Sequence, residues 1–238
     1  KAIQYKGMKA LKKKVRKTLG EYPYEREYDC LLGCSGGRDS TYLMYWIKEV
    51  LGLNVLAITM THDYLPEQTR KNVEIVSGKL GVHVKYMENE DLDKYSRICV
   101  RAWAKKPVAP TLISFCSGCR VGLRQTLPAY AKEHHIPILF MGNTPFEKAE
   151  YRRSIIALDP EHPTRKSQAL GYSRLMLENP AFLKSLPCMN AQRKDFRTNG
   201  KYNTKGRWPV VISPFFKYIE WKEDEVIPTL TSLGWKYD

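Results

Sequence analysis

The sequence holds no apolar run near the roughly 20 residues that a membrane-spanning helix requires. Its basic N-terminus is not followed by an apolar segment, so no signal peptide and no membrane insertion are expected, and the chain reads as cytoplasmic. Neither an internal repeat nor a low-complexity segment is present, which argues against solenoids and disordered tracts. There is no H-E-x-x-H motif and no triad-like grouping around the five histidines, so hydrolysis by a Ser–His pair has little support. Cysteine is sparse at six residues, and only one C-x-x-C pair occurs, which leaves a four-ligand zinc knuckle without its second pair. In a reducing compartment these cysteines are not expected to form disulfides. Acid is scarce as well. Asp and Glu number 25 against 39 Lys and Arg, a formal net charge of +14. Such a surface favours polyanionic partners: ATP, a nucleotide-linked substrate, RNA or an acidic protein.

What is present suits one sizeable core with a small appendage, since 238 residues with 43% apolar content is ordinary for a globular chain. Residues 1–20 carry eight Lys or Arg and no acid, with Leu11, Val15 and Leu19 at helical spacing, and predict a basic amphipathic helix. A buried strand is expected to end at Cys30–Cys34, followed by a helix from Ser40 to Leu51 and a second strand over 53–60. A helix over 67–80 stopped by Gly81, an alternating strand over 82–86 and a helix over 91–106 with Cys99 on its apolar stripe come next. A further helix running to Lys132 and a strand over 136–141 complete an alternation that implies a parallel, doubly wound α/β sheet. Beyond residue 150 the pattern weakens into a basic stretch. There a helix over 175–186, a short edge strand over 210–216 and a last helix over 223–233 are expected. The domain reading is a basic helix at 1–20, a nucleotide domain at 21–150 and a substrate-binding region at 151–238 packed on it.

The chain is organised around Tyr28-Asp29-Cys30-Leu31-Leu32-Gly33-Cys34-Ser35-Gly36-Gly37-Arg38-Asp39-Ser40-Thr41. An apolar strand runs into a Ser-Gly-Gly turn that opens a helix. The glycines let backbone N–H groups approach an anion, and the helix N-terminus adds unpaired donors and partial positive charge. Ser35 and Ser40 offer hydroxyl donors, while Asp39 would repel phosphate unless a cation such as Mg²⁺ sat between them. The G-x-x-x-x-G-K-[ST] spacing of a Walker loop is absent. The expected partner of this loop is Gly142-Asn143-Thr144, at the end of a later parallel strand. Cys30 and Cys34 read as buried spacers, and His62, after the second strand, as a residue near the site.

A second constellation is Cys116-Ser117-Gly118-Cys119, with Cys188 as a third sulfur. Three cysteines on a [4Fe–4S] cluster would leave one iron open to an outside ligand. The same pair also suits Zn²⁺, a redox or persulfide function, or two small apolar residues at a helix start.

The six residues Ser35–Ser40 resemble the S-G-G-x-D-S signature of the PP-loop ATP pyrophosphatases. The resemblance implies a PP-loop (HUP-like) fold, cleavage of ATP between its α and β phosphates, and adenylation of a carbonyl-type oxygen. It implies ATP and Mg²⁺ contacts at Ser35, Gly36, Gly37, Asp39, Ser40, Thr59, Gly142, Asn143 and Thr144, with Arg38, Asp39 and Ser40 as the catalytic set. Two families within it are similar. The Tyr28-Asp29-Cys30 approach, Arg97-Ile98-Cys99, Ile136-Pro137-Ile138 and Leu233-Gly234-Trp235-Lys236 resemble N-acetyl sugar amidotransferases of lipopolysaccharide O-antigen biosynthesis. These imply a nucleotide-linked sugar acceptor and a glutaminase subunit supplying ammonia. Cys116, Cys119 and Pro187-Cys188 instead resemble the tRNA 2-thiolation family, with cluster, sulfide and tRNA. After Gly142 the chain reads Asn143-Thr144-Pro145-Phe146-Glu147 where thiolases read G-H-x-x-D-D, which ranks the amidotransferase first. A nucleotide-binding regulatory module, binding ATP without releasing pyrophosphate, is the third reading.

Overall fold

A computed structural model describes residues 4–63, 65–107, 123, 126–144, 165–185 and 208–237. The described residues group into two compact units. One contains 4–88, 126–144 and 208–237, and the other 89–107, 123 and 165–185.

The first unit is built on a parallel sheet of five strands. They are β1 Cys30–Gly33, β2 Val55–Thr61, β3 His83–Glu88, β4 Ile138–Phe140 and β5 Val210–Ile212, in the order β3-β2-β1-β4-β5. Register pairs Cys30 with Val55 and with Ile138, and Leu32 with Ala57 and with Phe140. Those residues share one face of the sheet, because side chains alternate along a strand. Strands covered on both faces read as continuous apolar runs, which is why β1, β4 and the first four residues of β2 show no polar alternation. β3 is an edge strand, and its residues alternate in exposure.

Helices α1 Gly7–Gly20, α2 Arg38–Tyr45, α3 Glu67–Leu80 and the late helix Glu223–Ser232 bury their apolar stripes in one core with that face. Leu11 and Val15 of α1, Leu43 and Met44 of α2, Val73 and Val76 of α3, and Val226 and Leu230 of the late helix supply it. The basic helix is therefore part of the core on one side and a cationic surface on the other. Its first amides are held by the main chain, Lys6 N–H on Lys217 O and Gly7 N–H on Tyr218 O. Helical residues 126–133 serve the opposite face of the sheet, where Leu127 lies over Gly33 so closely that a Cβ there would be 2.7 Å from its Cδ1.

Several boundaries differ from the sequence reading. α2 starts two residues earlier than expected, at Arg38, and its last turn, Trp46–Val50, widens into a π turn closed by Leu51 N–H on Trp46 O at 2.9 Å. Wide turns of this kind are rare and carry no sequence signature. The strand expected over 136–141 narrows to Ile138–Phe140. Pro214 ends β5 and opens the short helical turn Pro214–Lys217, as a residue with fixed φ and no N–H should. Among the described residues no helix is long and apolar enough to cross a membrane.

The second unit pairs α4 Glu90–Lys105 with the helix Arg165–Glu178 and the 3₁₀ segment Pro180–Ser185. The helix expected over 175–186 thus begins ten residues earlier and breaks at Asn179-Pro180, because proline excludes the helical conformation of the residue before it. Asn89 caps α4 by accepting from Leu92 N–H at 2.9 Å. Asn179, fully buried, donates to the carbonyls of Ala102 and Lys106 at its other end. Ala102, Leu175 and Phe182 form the apolar contact between these helices.

Candidate functional site

In this strand order β1 and β4 are neighbours whose onward connections leave to opposite sides of the sheet. Ligands of open α/β sheets bind in the crevice that opens there, beyond the carboxyl ends of the strands. The Ser35–Gly37 turn follows β1 and Met141–Thr144 follows β4, so the two candidate loops meet at this switch point. Gly142 is packed on the start of α2. A Cβ there would be 3.1 Å from Ser40 Cα and 3.2 Å from Ser40 N.

The turn is held from below. Ser35 N–H donates to Ser40 Oγ at 3.1 Å, Ser40 Oγ lies 3.2 Å from Ser35 Oγ and from Gly37 O, and Thr41 N–H donates to Gly37 O at 3.1 Å. Thr59 Oγ1 donates to Cys34 O at 2.9 Å. Gly36 has φ +76°, and a Cβ on it would run into Thr69, 2.7 Å from Cγ2 and closer still to its carbonyl oxygen. No L side chain adopts that backbone easily, and here the space is filled as well. The Gly36 carbonyl accepts from the indole N–H of Trp235 at 3.0 Å.

The expected residues divide by exposure. Ser35, Gly37 and Asn143 face solvent, with Arg38 and Asp39 half-buried beside them. Gly36, Ser40, Thr59 and Thr144 are buried. Ser40 and Thr59 spend their hydroxyls on the loop itself. Arg38 stacks its guanidinium 4.8 Å from the centre of the Trp221 ring, pairs with Glu223, and has Nε 3.5 Å from Asp39 Oδ1. Asp39, in the first turn of α2, is a hard oxygen donor of the type Mg²⁺ takes. Among the described residues no three His, Cys, Asp or Glu gather as a metal cage. A Mg²⁺ at Asp39 would then share its other ligands with phosphates and water, which is the usual habit of that ion.

Sequence reasoning missed Thr69, Trp221, Glu223 and, as a contact of the loop, Trp235. All of them reach it across long sequence separations. The one signal was Gly234, whose φ of +85° turns the chain sharply before Trp235. Cys116, Cys119 and Cys188 lie outside the described residues.

Cys30 and Cys34 are buried, and burial pushes both thiols up. Asp29 adds to the effect at Cys30, while hydrogen bonds with the Gly36 amide and the Ser40 and Thr41 hydroxyls offset part of it at Cys34. Both are neutral near pH 7, and thiolate is the reactive form. Native protein treated with N-ethylmaleimide is expected to leave Cys30, Cys34 and the buried Cys99 unlabelled until denaturant is added, as read by peptide mass mapping.

No protein-family model matches the chain, and no curated protein matches it. Similar solved structures include the U34-tRNA thiolase NcsA from Methanococcus maripaludis with its [4Fe–4S] cluster, at 20% identity and TM-score 0.49 over 97% of this chain and 65% of that one. Another is the NH₃-dependent NAD synthetase from Campylobacter jejuni, at 13% identity and TM-score 0.39 over 97% of each chain. A third is the glutamine-dependent NAD⁺ synthetase from Acinetobacter baumannii in complex with ADP, at 15% identity and TM-score 0.43 over 58% of this chain and 24% of that one. The chain thus spans 65% of the thiolase's length and 24% of the Acinetobacter enzyme's.

Proposed function

We propose that the protein is an ATP-dependent adenylating transferase that releases pyrophosphate and then AMP. The observation that carries this reading is the glycine-lined turn at the switch point. At Gly36 and Gly142 a Cβ would meet Thr69 and the start of α2, so only glycine lets the two turns pack this closely, and α2 opens at the same crevice. Backbone donors, a helix N-terminus and an adjacent carboxylate suit a triphosphate with its counter-ion.

In the first step a carbonyl-type oxygen of the acceptor attacks the α phosphorus, and pyrophosphate leaves with the electron pair of the bond to the β-phosphate oxygen. Gly37 N–H, Ser35 and the first amides of α2 would hold the phosphates and stabilise the charge that develops. Mg²⁺, when held by Asp39, would neutralise charge on the leaving pyrophosphate. In the second step ammonia adds to the activated carbon and loses a proton, and AMP leaves with the C–O bond pair. The acceptor favoured by the sequence resemblances is an N-acetyl nucleotide sugar, with ammonia from a separate glutaminase. Sulfide in place of ammonia, with tRNA as acceptor, is the second reading, favoured by Cys116, Cys119 and Cys188 and the charge of +14.

The test is product analysis with the full chain, ATP and Mg²⁺. One arm holds ammonium and UDP-N-acetyl sugars. The other holds sulfide and tRNA, after anaerobic purification with iron counted. Acceptor-dependent AMP and pyrophosphate in equal amounts are expected in the first arm. ADP and phosphate, or ATP binding without turnover in either arm, would sink the proposal, whereas turnover confined to the second arm transfers it to sulfur insertion.

A further inference from the structure

The structure assigns to Trp235 the task of orienting the anion loop, so that it acts as a positioning residue for phosphate binding. This rests on the nucleotide reading of the Ser35–Gly37 turn. The peptide between Gly36 and Gly37 is trans, as the one cis bond described is Trp208–Pro209. In a planar trans peptide the carbonyl and the following N–H point in opposite directions. Trp235 Nε1 holds the Gly36 carbonyl at 3.0 Å, so Gly37 N–H is turned the other way, at a residue exposed to solvent. Without that anchor the peptide could flip, since glycine on both sides imposes little barrier. A flip would aim a carbonyl, not an amide, at the phosphates.

Trp235 is itself fixed on both sides. Gly234 N–H donates to Thr231 O and Trp235 N–H to Leu230 O, which closes the last helix. On its far side Asn72, almost fully buried, clamps the Lys236 main chain. Its Nδ2 donates to Lys236 O at 2.7 Å, and its Oδ1 accepts from Lys236 N–H at 2.9 Å. Asn72 lies on α3, the same helix that supplies Thr69 beneath Gly36. The indole is therefore delivered to the loop by a main-chain clamp and a left-handed glycine, which is more than filling a core requires. A tryptophan serving only as core would be replaceable by phenylalanine with no effect confined to phosphate.

The experiment compares wild type with Trp235→Phe, which keeps an aromatic ring and removes the N–H. Hydrogen exchange of the loop amides is read without nucleotide. ATP and inorganic pyrophosphate are titrated calorimetrically below the unfolding midpoint. Expected are faster exchange at residues 35–38 and about tenfold weaker binding of both ligands, the scale of one hydrogen bond. Unchanged affinity with faster exchange overturns the inference and leaves the nucleotide reading standing. A wild type that binds neither ligand overturns the nucleotide reading and this inference with it. Should Trp235→Phe fail to fold, Asn72→Leu, which adds no charge and removes both bonds to the Lys236 main chain, is expected to weaken both ligands in the same direction. No change in that variant overturns the inference too.

Discussion

Gly36→Ala is expected to lower pyrophosphate release by about 100-fold or more, the scale of an ångström's misplacement at a reacting centre. Two costs act together. A non-glycine residue at φ +76° is strained by roughly 1–2 kcal/mol. The new methyl group also meets Thr69, at its main-chain oxygen and at Cγ2. A side chain could rotate aside, but a carbonyl in the first turn of α3 cannot, so the loop must move. Gly37→Ala is the control. Gly37 has φ −70°, and the nearest atom to a Cβ there is Ser35 Oγ at 3.5 Å, an ordinary contact. That variant should keep most of its activity. If both variants were equally active, the cradle would not be the phosphate site. Gly142→Ala belongs between them, since its neighbours at 3.1–3.2 Å are main-chain atoms but its backbone is not left-handed.

The largest effect on stability is expected from Phe215→Ala, at about 3–5 kcal/mol. Phe215 is fully buried, stacked on Tyr42 at 5.6 Å between centroids and edge-on to Trp46 at 5.9 Å. Aromatic pairs add roughly 0.5–1.5 kcal/mol beyond their area. At this chain length each kcal/mol moves the midpoint by about 2–4 °C, so thermal unfolding should shift down by roughly 6–20 °C. ATP affinity measured well below the new midpoint should stay near wild type, because Phe215 packs on Tyr42 and Trp46 and takes no part in the loop's hydrogen bonds. A loss under about 1 kcal/mol would mean that the cavity collapses with little cost, against the close packing of the Tyr42 and Trp46 rings.

The parts of this fold that were legible in the sequence are those set by short-range rules. Cys30–Gly33 and the first four residues of β2, Val55 to Ile58, are uninterrupted apolar runs, and a strand covered on both faces has little choice but to look so. α3 ends where Gly81 turns left-handed at φ +60°, as expected of a glycine after a periodic run. The turn was legible because an apolar run followed by Ser-Gly-Gly and a helical pattern specifies strand, turn and helix. What stayed hidden depends on distant partners. Ser40 and Thr59 read as ligand contacts because a hydroxyl looks the same whether it faces phosphate or a neighbouring carbonyl. Only the packed structure shows Thr59 bonded to Cys34 O beneath the turn. Arg38, expected in the catalytic set, has beside it the Trp221 ring and Glu223, which come from the far end of the chain and left no local signal. The π turn at Trp46–Val50 has no local cause that a residue pattern would reveal.

The bond between Gly36 and Trp235 spans 199 residues. Synthesis proceeds from the N-terminus at about 5–20 residues per second, so the loop waits on the order of 10–40 s for its brace. During that interval β1 and β2 can pair, and β4, which covers the other edge of β1, is made about halfway through it. Contacts this distant in sequence also form slowly once the chain is complete. The Ser35–Gly37 turn is therefore without its indole brace while the residues between Gly36 and Trp235 are made. On the nucleotide reading, full affinity for ATP would be gained only once Trp235 docks on the turn, which would make ATP binding a report on that long-range contact.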